Sequence, residues 1–275
     1  MTRGGWHGKG LFAAGVIIVG GVAVAAIVGP VVAPYEPSVQ NLPLRLAGPT
    51  LTHPFGLDEL GRDILARVLA GARISFIVAL TVVSVSASVG TVLGAVAGYF
   101  GGVTDDVVSR VIDVLLAFPG LLLAIALVAV LGPSFSNVVL ALTVIGWVGY
   151  ARLVRGQVLR TREFEYVQAA RALGASSARI LWRHVIPAAF PAVVVQATLG
   201  MAGAILGEAA LSFLGLGVQP PTPSWGTMLS GGRAHLLDAP HLTIFPGIAI
   251  ALLVLGFNFV GDGLRDLADP KQLRR

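Results

Sequence analysis

The sequence predicts an all-α, polytopic membrane protein with six transmembrane helices. Three observations lead there. The 275 residues have a mean hydropathy of +0.84 and only 12% are charged, against about a quarter in an ordinary soluble domain. Apolar runs near 11–32, 74–99, 111–131, 137–154, 188–212 and 243–261 are each long enough to cross, or nearly cross, roughly 30 Å of hydrocarbon. Finally, with the N-terminus inside, fourteen of the nineteen Lys and Arg residues fall on the cytoplasmic side and five on the other, the bias that orients membrane helices.

The first run follows Arg3 and Lys9 and contains Ala23-Val24-Ala25, which has the look of a signal-peptide cleavage site. The apolar stretch nevertheless continues to Val32, so an uncleaved span is expected. Residues 34–73 begin as a proline-rich strap, PYEPSVQNLPLRLAGP. They continue with Leu60, Ile64, Leu65, Val68 and Leu69 on one helical stripe, the pattern of a helix lying flat at the interface. The second span carries Gly90, Gly94 and Gly98, a small-residue face that lets helices approach closely in lipid. The third, 111–131, is taken as one span, and the fourth is short, with Trp147 and Tyr150 as interfacial anchors or bundle-facing aromatics.

Between spans four and five, EYVQAARALGASSARILWRHVIP places Arg171, Arg179, Arg183 and His184 between two apolar runs. Tyr166, Ala169, Ala170 and Leu173 keep a helical spacing, Gly174 interrupts it, and Ser176-Ser177 can cap a second helix carrying Ile180, Leu181 and His184. Helix, sharp turn, helix is the expected form, with an apolar side available for docking. Span five has a second small-residue face, Gly200, Gly203, Ala204 and Gly207. After it, the prolines of GLGVQPPTPSWG stop the helix, and TMLSGGRAHLL resumes an amphipathic stretch expected to dip back or lie across the bundle mouth.

Composition excludes several functions. The absence of cysteine removes disulfides and thiolate metal sites. A phosphate-binding loop requires Gly-x-x-x-x-Gly-Lys-Ser/Thr; Gly8-Lys9 is followed by Gly10, and Lys271 has no nearby glycine, so ATP hydrolysis by that motif is not expected of this chain. The net charge of +5 reflects loop bias and not nucleic-acid binding. His53, His235 and His241 lack the close spacing of a metal site, and no nucleophile, base and orienting group stand together.

Two acids fall within or near the hydrocarbon. Asp113 has Arg110 three residues earlier on the same helix, which predicts a structural ion pair. Glu208 has no sequence-local partner and is the candidate for the translocation path, because an unpaired acid in a span is costly.

QAARALGASSARILWRHVIP is similar to the EAA loop of ABC importer permeases, with Gln168, Ala169, Ala170, Gly174 and Ile186-Pro187 at the matching positions. Gln168 stands where that loop usually has glutamate, and His184 where an aliphatic residue is common. HPFGLDELGRDILARVLAGARIS, YFGGVTDDVVSRVIDVLLAFPGLLLAIALVAVLGP, GWVGYARLVRGQVL, EAALSFLGLGVQPPTPSWGTML and FNFVGDGLRDLADP extend the resemblance to the dipeptide and oligopeptide permeases of the DppC/OppC type.

That resemblance implies a type I importer permease (MetI-like) fold in a bacterial plasma (inner) membrane, with both termini cytoplasmic. It divides the chain into residues 1–73, with the tail, first span and extracytoplasmic interfacial segment, and a five-helix core, 74–275, with a coupling loop at 163–187. Gln168, Ala169, Ala170, Arg171, Leu173, Gly174, Ala175 and Arg179 would then contact ATPase subunits. The implied partners are a second, DppB/OppB-like permease, two ATPase subunits or one fused ATPase that carry ATP and Mg, an extracytoplasmic substrate-binding protein, and membrane lipid. Dipeptides or oligopeptides are the implied cargo, with nickel chelates, glutathione or haem as alternatives. A proton-coupled secondary carrier using Asp113 and Glu208 is a different class. The absence of internal repeats argues against it.

Overall fold

The computed structural model describes residues 4–268. Arg3, Lys271, Arg274 and Arg275, counted above toward the cytoplasmic charge, lie outside the described residues. In chain order the helices are α1 (Gly4–Val32), α2 (Ile64–Phe100), α3 (Gly102–Leu116), α4 (Gly120–Leu131), α5 (Phe135–Thr161), α6 (Glu165–Ala172), α7 (Ser177–Ile180), α8 (Ile186–Phe213), α9 (Trp225–Gly232) and α10 (His241–Ala268). A π turn, Leu181–Val185, makes α7 and α8 one continuous rod. Among the described residues, five helices are long and apolar enough to cross a membrane, and α3 with α4, taken together as one bent pair, makes six.

The third span is therefore not the straight helix expected over 111–131. It starts at Gly102, φ +54°, directly after Gly101, φ +67°, and turns through 86° between α3 and α4. Pro119, the N-cap of α4, cannot donate a helical hydrogen bond, and it restrains Phe118 before it. With twelve residues, α4 is about 18 Å long and cannot cross the hydrocarbon unaided. Its sequence, GLLLAIALVAVL, is wholly apolar, whereas α3 carries Asp105, Asp106, Ser109, Arg110 and Asp113.

The flat interfacial helix is also corrected. Asp63 caps α2 by accepting from the Ala66 amide at 2.8 Å, and the helix then runs without interruption for 37 residues. Residue 73 thus lies inside α2. The stripe through Ile64 and Val68 faces protein: Ile64 is fully buried, and Trp225 Nε1 donates to the Val68 carbonyl at 2.9 Å. The fourth span, expected over 137–154, is the 27-residue α5, which continues past Val154 to a basic end where Arg155 meets Asp105 of α3.

Glycines set the helix spacing. A Cβ on Gly90 would lie 2.5 Å from the Trp147 carbonyl, and on Gly98 3.0 Å from that of Arg155. At Gly94 it would run into the Ala151 backbone. Side chains there would force α2 and α5 apart. A second seam joins α1 to α10, where a Cβ on Gly15 would lie 2.8 Å from the Gly256 carbonyl. The main core lies among α2, α5, α8 and α10, with Val78, Val154, Ile205 and Leu253 fully buried.

Candidate functional site

The helix pair between α5 and α8 forms as the residues dictate. Gly174 adopts φ +80°. Its amide donates to the Arg171 carbonyl and that of Ala175 to the Ala170 carbonyl, both at 3.0 Å, the paired bonds that end a helix on a left-handed glycine. Ser176 then caps α7 through the Arg179 amide at 3.4 Å.

Val167 and Ile180 are buried and anchor the pair to the bundle. Leu173 is 88% exposed, Trp182 60% and Tyr166 47%; apolar surface of this kind on a short protruding element marks an interaction face. Of the sequence-nominated positions, Gln168, Ala169, Arg171, Gly174 and Arg179 are exposed, while Ala170 and Ala175 are half-buried. Gln168 Nε2 donates to the Glu163 carbonyl at 3.1 Å, and the Arg171 guanidinium stands 5.8 Å from the Tyr99 ring centre. His184 is half-buried, 6.2 Å from the Tyr166 ring.

A cavity of about 560 Å³ opens between α2, α4, α5 and α8. Its wall is mostly apolar or glycine, and its polar groups are Ser86, Tyr150 and Gln196. Tyr150 is 4% exposed and points into the bundle, its hydroxyl 3.5 Å from the Gln196 carbonyl, so it is not an interfacial anchor. Gly203 lines this space and has nothing within 4 Å of a built Cβ, whereas Gly207 meets Leu142 at 2.9 Å. Both border the cavity, but Gly207 is in close contact with α5 whereas Gly203 faces open space.

Glu208 does not line the cavity. It is fully buried and accepts from Ser212 Oγ at 2.6 Å, one turn along α8. The Arg233 guanidinium lies apart from it, 5.8 Å from the Phe213 ring centre. Arg110 and Asp113 are both exposed and form no ion pair with each other. The carboxylate that holds this region is Asp105, bound by Arg155 Nε and Nη2 at 2.5 and 2.6 Å. Sequence reasoning missed that pair because its members are 50 residues apart.

It also missed the outer strap, where charges are sequestered. Asp58 accepts from Arg62 Nε at 2.7 Å and from the Leu60 and Arg62 amides at 2.9 Å. Arg67 Nε lies 3.4 Å from the same carboxylate without hydrogen-bond alignment, and Arg67 Nη1 donates to the Pro37 carbonyl at 3.1 Å. His53 pairs with Asp63 at 2.8 Å, and His241 is 8% exposed beneath the strap. Neither is a loose surface histidine. The alternation DELGRD was the available signal.

Residues 90–274 match the protein family described as binding-protein-dependent transport system inner membrane component. The chain belongs to that family.

This permease is 46% identical to the dipeptide transport system permease protein DppC of Alkalihalophilus pseudofirmus over 257 residues, 94% of its own length and 84% of the relative's. It is 48% identical to the glutathione transport system permease protein GsiD of Escherichia coli O6:K15:H31 over 224 residues, 82% of this chain and 74% of that one. The corresponding GsiD protein of Pectobacterium atrosepticum is 47% identical over the same proportions. The permease is a multi-pass membrane protein and a transport subunit, with the all-helical MetI-like fold.

Proposed function

We propose that this permease forms half of an ATP-driven import passage for short peptides, with α6 and α7 seated on ATPase subunits and a second, related permease completing the passage. The observation that carries this reading is the continuity of α7 with α8. A force applied to the exposed face of Tyr166, Leu173 and Trp182 passes along one rod into a span that borders the 560 Å³ cavity. Rigid-body tilting of such a rod is an efficient way to convert closure of an ATPase pair into opening of a passage. ATP and Mg would be held by the ATPases, and cargo would be delivered by an extracytoplasmic binding protein. Both termini and the α6–α7 pair are then cytoplasmic, in agreement with the basic residues of 152–187.

Peptide cargo is supported by the likeness to DppC, and the cavity suits it: the wall offers hydrogen-bonding groups but no Asp, Glu, Lys or Arg that would retain a charged peptide terminus. The likeness to GsiD supports glutathione, itself a peptide, as the second reading. The test is uptake into proteoliposomes. The full complex is expected to import dipeptides or glutathione only with ATP inside and binding protein outside, whereas this chain alone imports neither. Proton-driven uptake by the chain alone would overturn the reading.

A further inference from the structure

Near the N-terminal end of α2, helices α1 and α2 touch and then separate. A Cβ on Gly29 would lie 2.8 Å from Leu69 Cβ; one turn deeper the two helices leave a groove of about 480 Å³ lined by Ala23, Ala26, Ile27, Arg73, Phe76 and Ile77. Five of these residues are apolar, and Arg73 is the only charged one. Arg73 is exposed and forms no ion pair with any described residue.

Its depth is informative. Arg73 is the last charged residue of α2, and residues 74–100 that follow carry no charge; at 1.5 Å per residue they cover about 40 Å, enough for the hydrocarbon core. The turns before it are enclosed by protein through Ile64, Arg67 and Trp225. Arg73 therefore stands at headgroup level, with an apolar trough beside it.

From this juxtaposition we infer that the α1–α2 groove is a binding site for an anionic glycerophospholipid, its phosphodiester held by the Arg73 guanidinium and one acyl chain lying against Ala23, Ile27, Phe76 and Ile77. A guanidinium suits two phosphate oxygens at once. The groove offers no carboxylate to receive a choline or ethanolamine ammonium, which favours a headgroup of net negative charge. The lipid would fasten α1 to α2 where the two helices part.

The test uses the full-length chain in phosphatidylcholine vesicles containing a trace of phosphatidylglycerol with a photoreactive acyl chain. Labelling is expected within 23–27 and 73–77, competed by unlabelled phosphatidylglycerol and not by added phosphatidylcholine or inorganic phosphate. Arg73→Gln should lower it about tenfold, the effect of losing a charge-assisted hydrogen-bonded contact, and Arg73→Lys by less. Ala23→Phe keeps the guanidinium and fills the trough, so it should reduce labelling even if Arg73→Gln folds poorly. Undiminished labelling in both Arg73→Gln and Ala23→Phe, equal competition by phosphatidylcholine, or displacement by inorganic phosphate would overturn the assignment.

Discussion

Asp105 and Arg155 are joined by two hydrogen bonds, of 2.5 and 2.6 Å, that fasten the polar face of α3 to the basic end of α5. The opposite face of α3 exposes Val103, Val107, Val111 and Val114. A two-pronged Arg–carboxylate contact is directional, so it sets how α3 lies relative to α5. Partial exposure of both groups, 35% for Arg155 and 19% for Asp105, keeps its worth to about 1 kcal/mol. Asp105→Ala and Arg155→Ala should each raise amide exchange in residues 102–116. A double-mutant cycle should show the two changes to be non-additive by about that amount. Strictly additive changes would mean that the pair does not hold α3.

Gly174 is constrained by its backbone and not by space. A built Cβ meets nothing within 4 Å, but φ is +80°. Gly174→Ala should therefore cost about 1 kcal/mol, and Gly174→Val more, whereas Gly174→Asn should be the mildest change. In the reconstituted complex, Gly174→Val is expected to lower uptake per ATP hydrolysed while the subunits still copurify. An unchanged ratio would count against the lever.

Two glycines of similar appearance should respond in opposite ways. Gly94→Leu drives a side chain into the Ala151 backbone and is expected to prevent stable packing of α2 on α5, read as loss of monodisperse protein. Gly203→Ala enters open space and should leave stability within about 0.5 kcal/mol. Gly203→Phe would then narrow the cavity and reduce uptake without unfolding the bundle, as measured by transport beside thermal stability.

Glu208 is expected to be a structural acceptor. Glu208→Gln retains an oxygen for Ser212 Oγ and should preserve transport. Glu208→Leu leaves that hydroxyl buried without its partner, at a cost of about 1–3 kcal/mol. A transport defect in Glu208→Gln with unchanged stability would return this residue to the translocation path.

Much of the helical plan was legible in hydropathy. Six apolar runs correspond to α1, α2, the bent α3–α4 pair, α5, the α7–α8 rod and α10. The turn at Gly174 was legible because a glycine between two helical patterns, the second capped by serine, is local information. The bend at Pro119 was present in the sequence too, but a run from 111 to 131 that is apolar apart from Asp113 and Pro119 concealed it. The apolar stripe near Leu60 to Leu69 misled because periodicity records that one face is covered, not whether lipid or protein covers it; Trp225 lies 157 residues from Val68.

By itself, then, the sequence determined that this chain lives in a membrane, where its long apolar helices lie, and that a turned helix pair precedes α8. Hydrophobic length, charge bias and glycine chirality act within a few residues of one another, so they can be read in a line. Only the tertiary structure decided which acids are paired, which glycines pack and which border open space, and that Arg73 faces a trough between two helices. Those outcomes depend on groups brought together across tens of residues, where burial and hydrogen-bond geometry select one partner among several of the same chemical type.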